Sequence, residues 1–196
     1  MIPSSFPLSR VRRLAAAVLV AGSFGAALAG PALAADGWIV DPAKSTVGFT
    51  ATQAGEPFKG TFKAFQADIT FDPNDMNAGN VDVVFDTTQI ETGDAQKDAN
   101  LPTPNWFNAK AHPMATFTAS NFSKTGDDSY VAKGELTIRD IAKPVTLPFT
   151  LTIDGNTAKM SGETTVKRTD FGIGTGVPVE MIGDDVVVTV SLTATK

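Results

Sequence analysis

The side chains able to do chemistry are few. The 196-residue chain has no cysteine and one histidine, His112. Thiol nucleophiles, thiolate metal sites and iron–sulfur clusters are therefore excluded. His112 stands before Pro113 in a polar stretch, without the second and third ligands that a zinc site needs, and reads as a surface or loop histidine. Serines are present, but Gly-x-Ser-x-Gly is not, and a triad would depend on that lone imidazole. Asp94 and Asp98 could act as an acid–base pair, although on an acidic chain solvated carboxylates are expected. Asp72, Asn74, Asp75, Asn77 and Asp82 crowd one segment and could offer oxygen to calcium. Met76 occupies the fifth position from Asp72 and no helical pattern flanks it, so a solvated turn is expected. Phe171-Gly172-Ile173-Gly174-Thr175-Gly176 is glycine-rich but lacks Gly-x-Gly-x-x-Gly spacing and precedes no helix. It reads as a flexible loop between strands. The expectation is a protein with no catalytic residue, metal or cofactor of its own.

What remains is apolar. Eleven of the 13 phenylalanines lie beyond residue 34, against one tyrosine. Phenylalanine has no polar handle, so an interior built from it is dry. Such an interior is either a packed core or a container for an apolar ligand, and these residues leave both open.

The elements that must position these side chains read as strands. Val47, Phe49 and Ala51 alternate with Thr46, Gly48 and Thr50. The same period of two runs through Phe65–Phe71, Val81–Phe85, Ala115–Ala119, Ala132–Ile138, Val145–Ile153, Met160–Val166 and Val186–Leu192. Half-buried antiparallel strands have this signature. Turn signals separate them at Asp72-Pro73-Asn74-Asp75, Thr125-Gly126-Asp127-Asp128 and Asp154-Gly155-Asn156. Phe58 and Phe62 share one face and Phe65 takes the other, so a bulge or bend near Lys63 is expected. Around residues 94–108 the alternation stops. Asp94–Leu101 predicts one or two helical turns ended by Pro102 and Pro104. Trp106 and Phe107 follow, as a lid over an opening or as a cap on the core. Together these patterns predict an all-β fold, a sandwich or barrel, with a short helical insertion.

The N-terminal stretch sets the expected compartment. Arg10, Arg12 and Arg13 precede an uncharged run from Leu14 to Ala29, and Ala32-Leu33-Ala34 forms a small-x-small site. This predicts a cleavable bacterial signal peptide over residues 1–34, general secretory export, and a periplasmic or secreted domain over 35–196. The formal charge of the whole chain is −5; residues 1–34 hold three arginines and no acid, so cleavage takes it to −8. An acidic surface argues against nucleic acid and anionic headgroups as partners.

Several stretches, in order, resemble the YceI-like family. They are Trp38–Phe49, Gly60-Thr61-Phe62 with Phe71-Asp72-Pro73, and Trp106-Phe107-Asn108 with Pro113-x-Ala115-Thr116-Phe117. Gly134–Arg139 with Lys143–Phe149, and Arg168–Gly174, complete the series. The resemblance implies a lipocalin-like antiparallel barrel of about eight strands whose interior holds a polyisoprenoid or similar long-tailed amphiphile, commonly in the periplasm. Some members are encoded beside, or fused to, b-type cytochromes; this implies a polyprenyl quinone as ligand, or a membrane b-type cytochrome as partner. An enzyme acting on a lipid headgroup is a further alternative. Many members carry histidine where Lys44 and Gln53 stand, so a headgroup contact through those positions does not carry over. On this basis Phe49, Phe62, Phe65, Phe85, Phe117, Leu136, Phe149, Met160 and Val188 are expected to line the tunnel, and Trp106 and Phe107 to sit near its opening. Arg168 and Asp170, beside Phe171, are candidates for a headgroup at the mouth.

Overall fold

A computed structural model describes residues 37–196; the expected signal peptide lies outside the described residues. Eleven strands follow one another: β1 (Gly37–Val40), β2 (Thr46–Gln53), β3 (Glu56–Phe62), β4 (Phe65–Thr70), β5 (Asn80–Asp86), β6 (Ile90–Glu91), β7 (Met114–Lys124), β8 (Ser129–Ile138), β9 (Ile141–Asp154), β10 (Thr157–Lys167) and β11 (Asp185–Thr195). One short helix, α1 (Ala95–Asn100), interrupts them.

The strands form one antiparallel sheet closed on itself. β1 and β2 lie end to end along one edge of β11, with Val40 opposite Ala194 and Val47 opposite Val190. β3 and β4 run end to end beside them, with Thr61 opposite Gly48 and Ile69 opposite Trp38. β5 and β6 repeat the arrangement, and β7 to β11 then return to the start. The result is a closed, eight-stranded antiparallel barrel, with its inward face drawn from alternate residues.

The bend expected near Lys63 is present. β3 ends at Phe62 and β4 begins at Phe65, while pairing continues through it (Lys63 N–H to the Gln89 carbonyl, 2.8 Å; Asp86 N–H to the Ala64 carbonyl, 3.0 Å). The phase shift turns Phe58, Phe62 and Phe65 all inward. A second irregularity in β7 between Ala119 and Asn121 likewise turns Phe122 inward, after Ala115, Phe117 and Ala119. Two inward glycines make room for rings. A Cβ on Gly60 would collide with the Phe49 ring, and one on Gly134 would strike the Thr118 carbonyl oxygen and sit 2.9 Å from both Ala119 Cβ and Phe117 Cζ.

Candidate apolar cavity

The barrel encloses a cavity of about 220 Å³. At mid-barrel, neighbouring strands contribute Ala67, Val83, Phe117 and Leu136, each paired with the next. Phe49, Phe62, Phe65, Phe85, Met160 and Val188 also line it. The phenylalanines meet edge-on or tilted: Phe49–Phe58 at 6.3 Å, Phe49–Phe62 at 6.0 Å and Phe62–Phe85 at 5.5 Å between centroids. These geometries suit the aromatic quadrupole. Almost every lining residue is apolar, with Thr164 and Arg168 the exceptions.

One end of the barrel is closed by its own aromatics. Trp38 Nε1 donates to the Phe71 carbonyl at 2.9 Å. Phe71 meets Phe122, Tyr130 and Phe149 at 5.2, 5.5 and 5.9 Å. Irregular segments cover the other end. Asp94 caps α1 by accepting from the N–H groups of Gln96 and Lys97, as N-cap aspartates do. The chain then delivers Leu101, Trp106 and Phe107 against the cavity, with Phe107 buried against Phe62 at 6.1 Å. Lys97 stands over the Phe58 ring at 5.3 Å and pairs with Asp94 at 2.7 Å. Phe58, Trp106 and Ile182 line the cavity at this end and are only half-buried, so this end is taken as the mouth.

Three contacts hold the lid segment down. Thr87 is buried and donates its hydroxyl to the His112 carbonyl at 2.7 Å. His112 Nδ1 lies 3.0 Å from Asp140 Oδ2. Arg139 donates to the carbonyls of Trp106 (3.1 Å) and Gly172. Arg139 and Asp140 form the two-residue turn between β8 and β9, and both have positive φ, 53° and 61°. A two-residue hairpin turn calls for positive φ at both positions, which aspartate tolerates more readily than arginine, and here it aims Arg139 and Asp140 at the lid.

Arg168 departs from expectation. It is 3% exposed, and all five of its N–H donors are engaged by carbonyls. Nε donates to Gly183 (3.1 Å), one terminal nitrogen to Ile173 (2.9 Å) and Gly174 (2.8 Å), the other to Val177 and Ile182 (both 2.9 Å). The guanidinium is a hub for the 173–183 loop and has no donor left for a headgroup. The glycine-rich segment is accordingly braced rather than flexible. Nearby, Asp184 accepts from the N–H and hydroxyl of Thr169. Burial pushes its carboxyl up, but those two bonds, with Lys167 and Arg168, hold it below the usual carboxylate value. Asp170 is exposed on the turn Arg168–Phe171, at the mouth end but outside the cavity lining.

Apart from Asp170, every expected site residue, Arg168 included, borders the cavity. Phe149 joins it from the closed end and Phe171, 1% exposed, from the mouth. The lining also includes residues outside that expected set. Phe58 was legible from its shared face with Phe62. Phe71 likewise follows Phe65, Ala67 and Ile69 in the alternation, whereas Trp38 and Ile182 sit at a strand end and in a loop, where period two gives no signal.

A model of the YceI-like domain matches residues 38–194. The chain belongs to the YceI-like family. Protein YceI of Escherichia coli O17:K52:H18 (strain UMN026 / ExPEC) is 36% identical over 122 residues, 59% of this chain and 63% of that protein. The chain thus spans less than two thirds of the length of the curated relatives it matches. Burkholderia cenocepacia BcnA superposes with a TM-score of 0.77 at 34% identity, covering 80% of this chain and 99% of BcnA. A polyisoprenoid binding domain from Saccharophagus degradans, implicated in plant cell wall breakdown, shares the fold: its TM-score is 0.66 at 14% identity, over 81% of this chain and 97% of that one.

Proposed function

We propose that this YceI-like protein is a periplasmic carrier that holds the tail of a polyisoprenoid or similar long-tailed amphiphile, a polyprenyl quinone among the candidates. The observation that carries the reading is the dry cavity, walled by phenylalanine and aliphatic side chains and closed at one end. The polyisoprenoid binding of the Saccharophagus degradans domain supports it. An engineered apolar void of about 150 Å³ holds one benzene. By that measure 220 Å³ takes about nine carbons, close to two isoprene units. Burying them at about 0.8 kcal/mol per carbon is worth roughly 7 kcal/mol before ordering costs. A longer tail must spread the rings or leave its head part outside the mouth. Binding of this kind requires no catalytic group, and we read the protein as a binder rather than an enzyme.

The test is native purification from its own host, solvent extraction and mass spectrometry, with uptake of a prenyl-tailed fluorescent probe by stripped protein. Co-extraction of one amphiphile class and saturable uptake are expected. Recovery of no amphiphile together with no uptake overturns the reading.

A further inference from the structure

A carrier of an insoluble tail must meet the membrane that supplies it, and the exposed apolar side chains are unevenly placed for that. Among the described residues, six large hydrophobics are exposed: Ile39, Met114, Ile141, Ile153, Val179 and Met181. Ile39 and Ile153 belong to the closed end. The other four lie at the mouth end, where β7 and β9 begin and where the loop between β10 and β11 crosses. Val179 and Met181 are 51% and 60% exposed in one short loop. One residue further on, Ile182 lines the cavity.

This loop is held, not loose. Arg168 binds the carbonyls of Val177 and Ile182 on either side of the tip. Met181 and Ile182 donate back to the Pro178 carbonyl, and Ala54 of the β2–β3 turn donates to Met181. A buried arginine thus braces a segment that shows its apolar side chains to water, although folding alone would favour turning them in. The exposed charges at this end carry both signs, Asp140, Asp170, Glu180 and Asp185 with Lys110 and Lys167, and Lys167 is itself paired with Asp185, so the rim offers no basic patch to an anionic surface.

We infer that the Val177–Ile182 loop is a docking tip that seats the mouth on a lipid surface without net negative charge, so that the tail passes from bilayer to cavity without crossing water. The inference rests on the carrier reading for its purpose, but its test stands apart. The full mature chain and a Val179→Asn/Met181→Gln double variant are floated with phosphatidylcholine vesicles, without ligand, at low salt and at 0.5 M NaCl. Uptake of a prenyl-tailed fluorescent probe is then followed from those vesicles and, separately, from dilute solution. Both substitutions are on exposed side chains, and matching melting curves verify the fold.

The expected result is flotation of the parent chain at both salt concentrations, reduced at least fivefold in the double variant. Uptake from vesicles should rise with vesicle concentration and slow at least fivefold in the variant, with affinity for dissolved probe unchanged within twofold. Failure of the parent chain to float, equal flotation of the variant, or uptake independent of vesicle concentration overturns the inference. Flotation without any probe binding would instead sink the carrier reading and leave the docking tip standing.

Discussion

Arg168→Met exchanges a guanidinium with five engaged donors for a side chain of similar length and none. The carbonyls of Ile173 and Gly174 are buried where they accept. Leaving each without a partner costs about 1–3 kcal/mol. The carbonyls of Val177, Ile182 and Gly183 are part-buried and recover water, so each loses only about 0.5–1.5 kcal/mol. The five share one loop and relax together, which places the expected loss near the low end of the sum, about 4 kcal/mol. With a urea dependence of about 2 kcal/mol per molar, the midpoint should fall by about 2 M. Arg168→Lys should lose most of the same amount, because a point-like ammonium with three donors does not span five carbonyls. Equilibrium urea unfolding followed by tryptophan emission reads the stability, and a prenyl-probe titration at low denaturant reads the site. A midpoint within 0.5 M of the parent, combined with a tenfold or larger loss of probe affinity, would refute the bracing argument and return Arg168 to the role of headgroup ligand.

Three further outcomes follow from the lid and the barrel wall. Arg139→Gly relieves a positive φ, worth about 1 kcal/mol, but releases the Trp106 and Gly172 carbonyls; stability should change little while acrylamide quenching of Trp106 rises. In Asp94 the Lys97 ammonium, then the N–H groups of Lys97 and Gln96, hold the carboxyl below its ordinary 3.8. The cap's contribution is therefore full above that value and is lost as pH falls through the lowered one; protection of the Gln96 and Lys97 amides, taken relative to their intrinsic exchange at each pH, should fall in acid below about pH 3.8 and stay flat from pH 5 to 8, and Asp94→Asn should abolish the acid step. Ala67→Phe puts a ring into the mid-barrel row of Val83, Phe117 and Leu136; overpacking should cost about 1–3 kcal/mol, and the bound amphiphile recovered by extraction should fall several-fold.

Barrel wall and mouth differed in how far the sequence could disclose them. A strand's inward face repeats every second residue, so Phe49, Phe117, Leu136 and Val188 were legible from alternation alone. The phase change at Phe58, Phe62 and Phe65 was itself a signal, because three phenylalanines on mixed faces make sense only with a bend. Phe122 was not legible: the irregularity after Ala119 leaves no mark in residue types, and strict alternation turns that ring outward. The bracing role of Arg168 was hidden for a different reason. Its charge suggested a polar mouth, but partners such as Val177, Ile182 and Gly183 lie far along the chain and are main-chain atoms. A carbonyl is present at every residue, so no pattern of side chains points to it.

The two arginines at the mouth solve one physical problem. Strands satisfy their own carbonyls, but a barrel must end, and the segments that cover its end make no ladder. Near a dry cavity those carbonyls would draw water or remain unpaired, at a cost of about 1–3 kcal/mol each. Arg139 takes the carbonyls of Trp106 and Gly172, and Arg168 those of Ile173, Gly174, Val177, Ile182 and Gly183. Seven carbonyls of the covering segments thus find donors without water, while Trp106, Ile173 and Ile182 remain free to present apolar side chains to the cavity. The two guanidinium groups serve main-chain carbonyls at the cavity's end. A headgroup arriving there meets guanidinium donors already engaged, so affinity should rise with tail length up to the roughly two isoprene units the cavity takes and then level off.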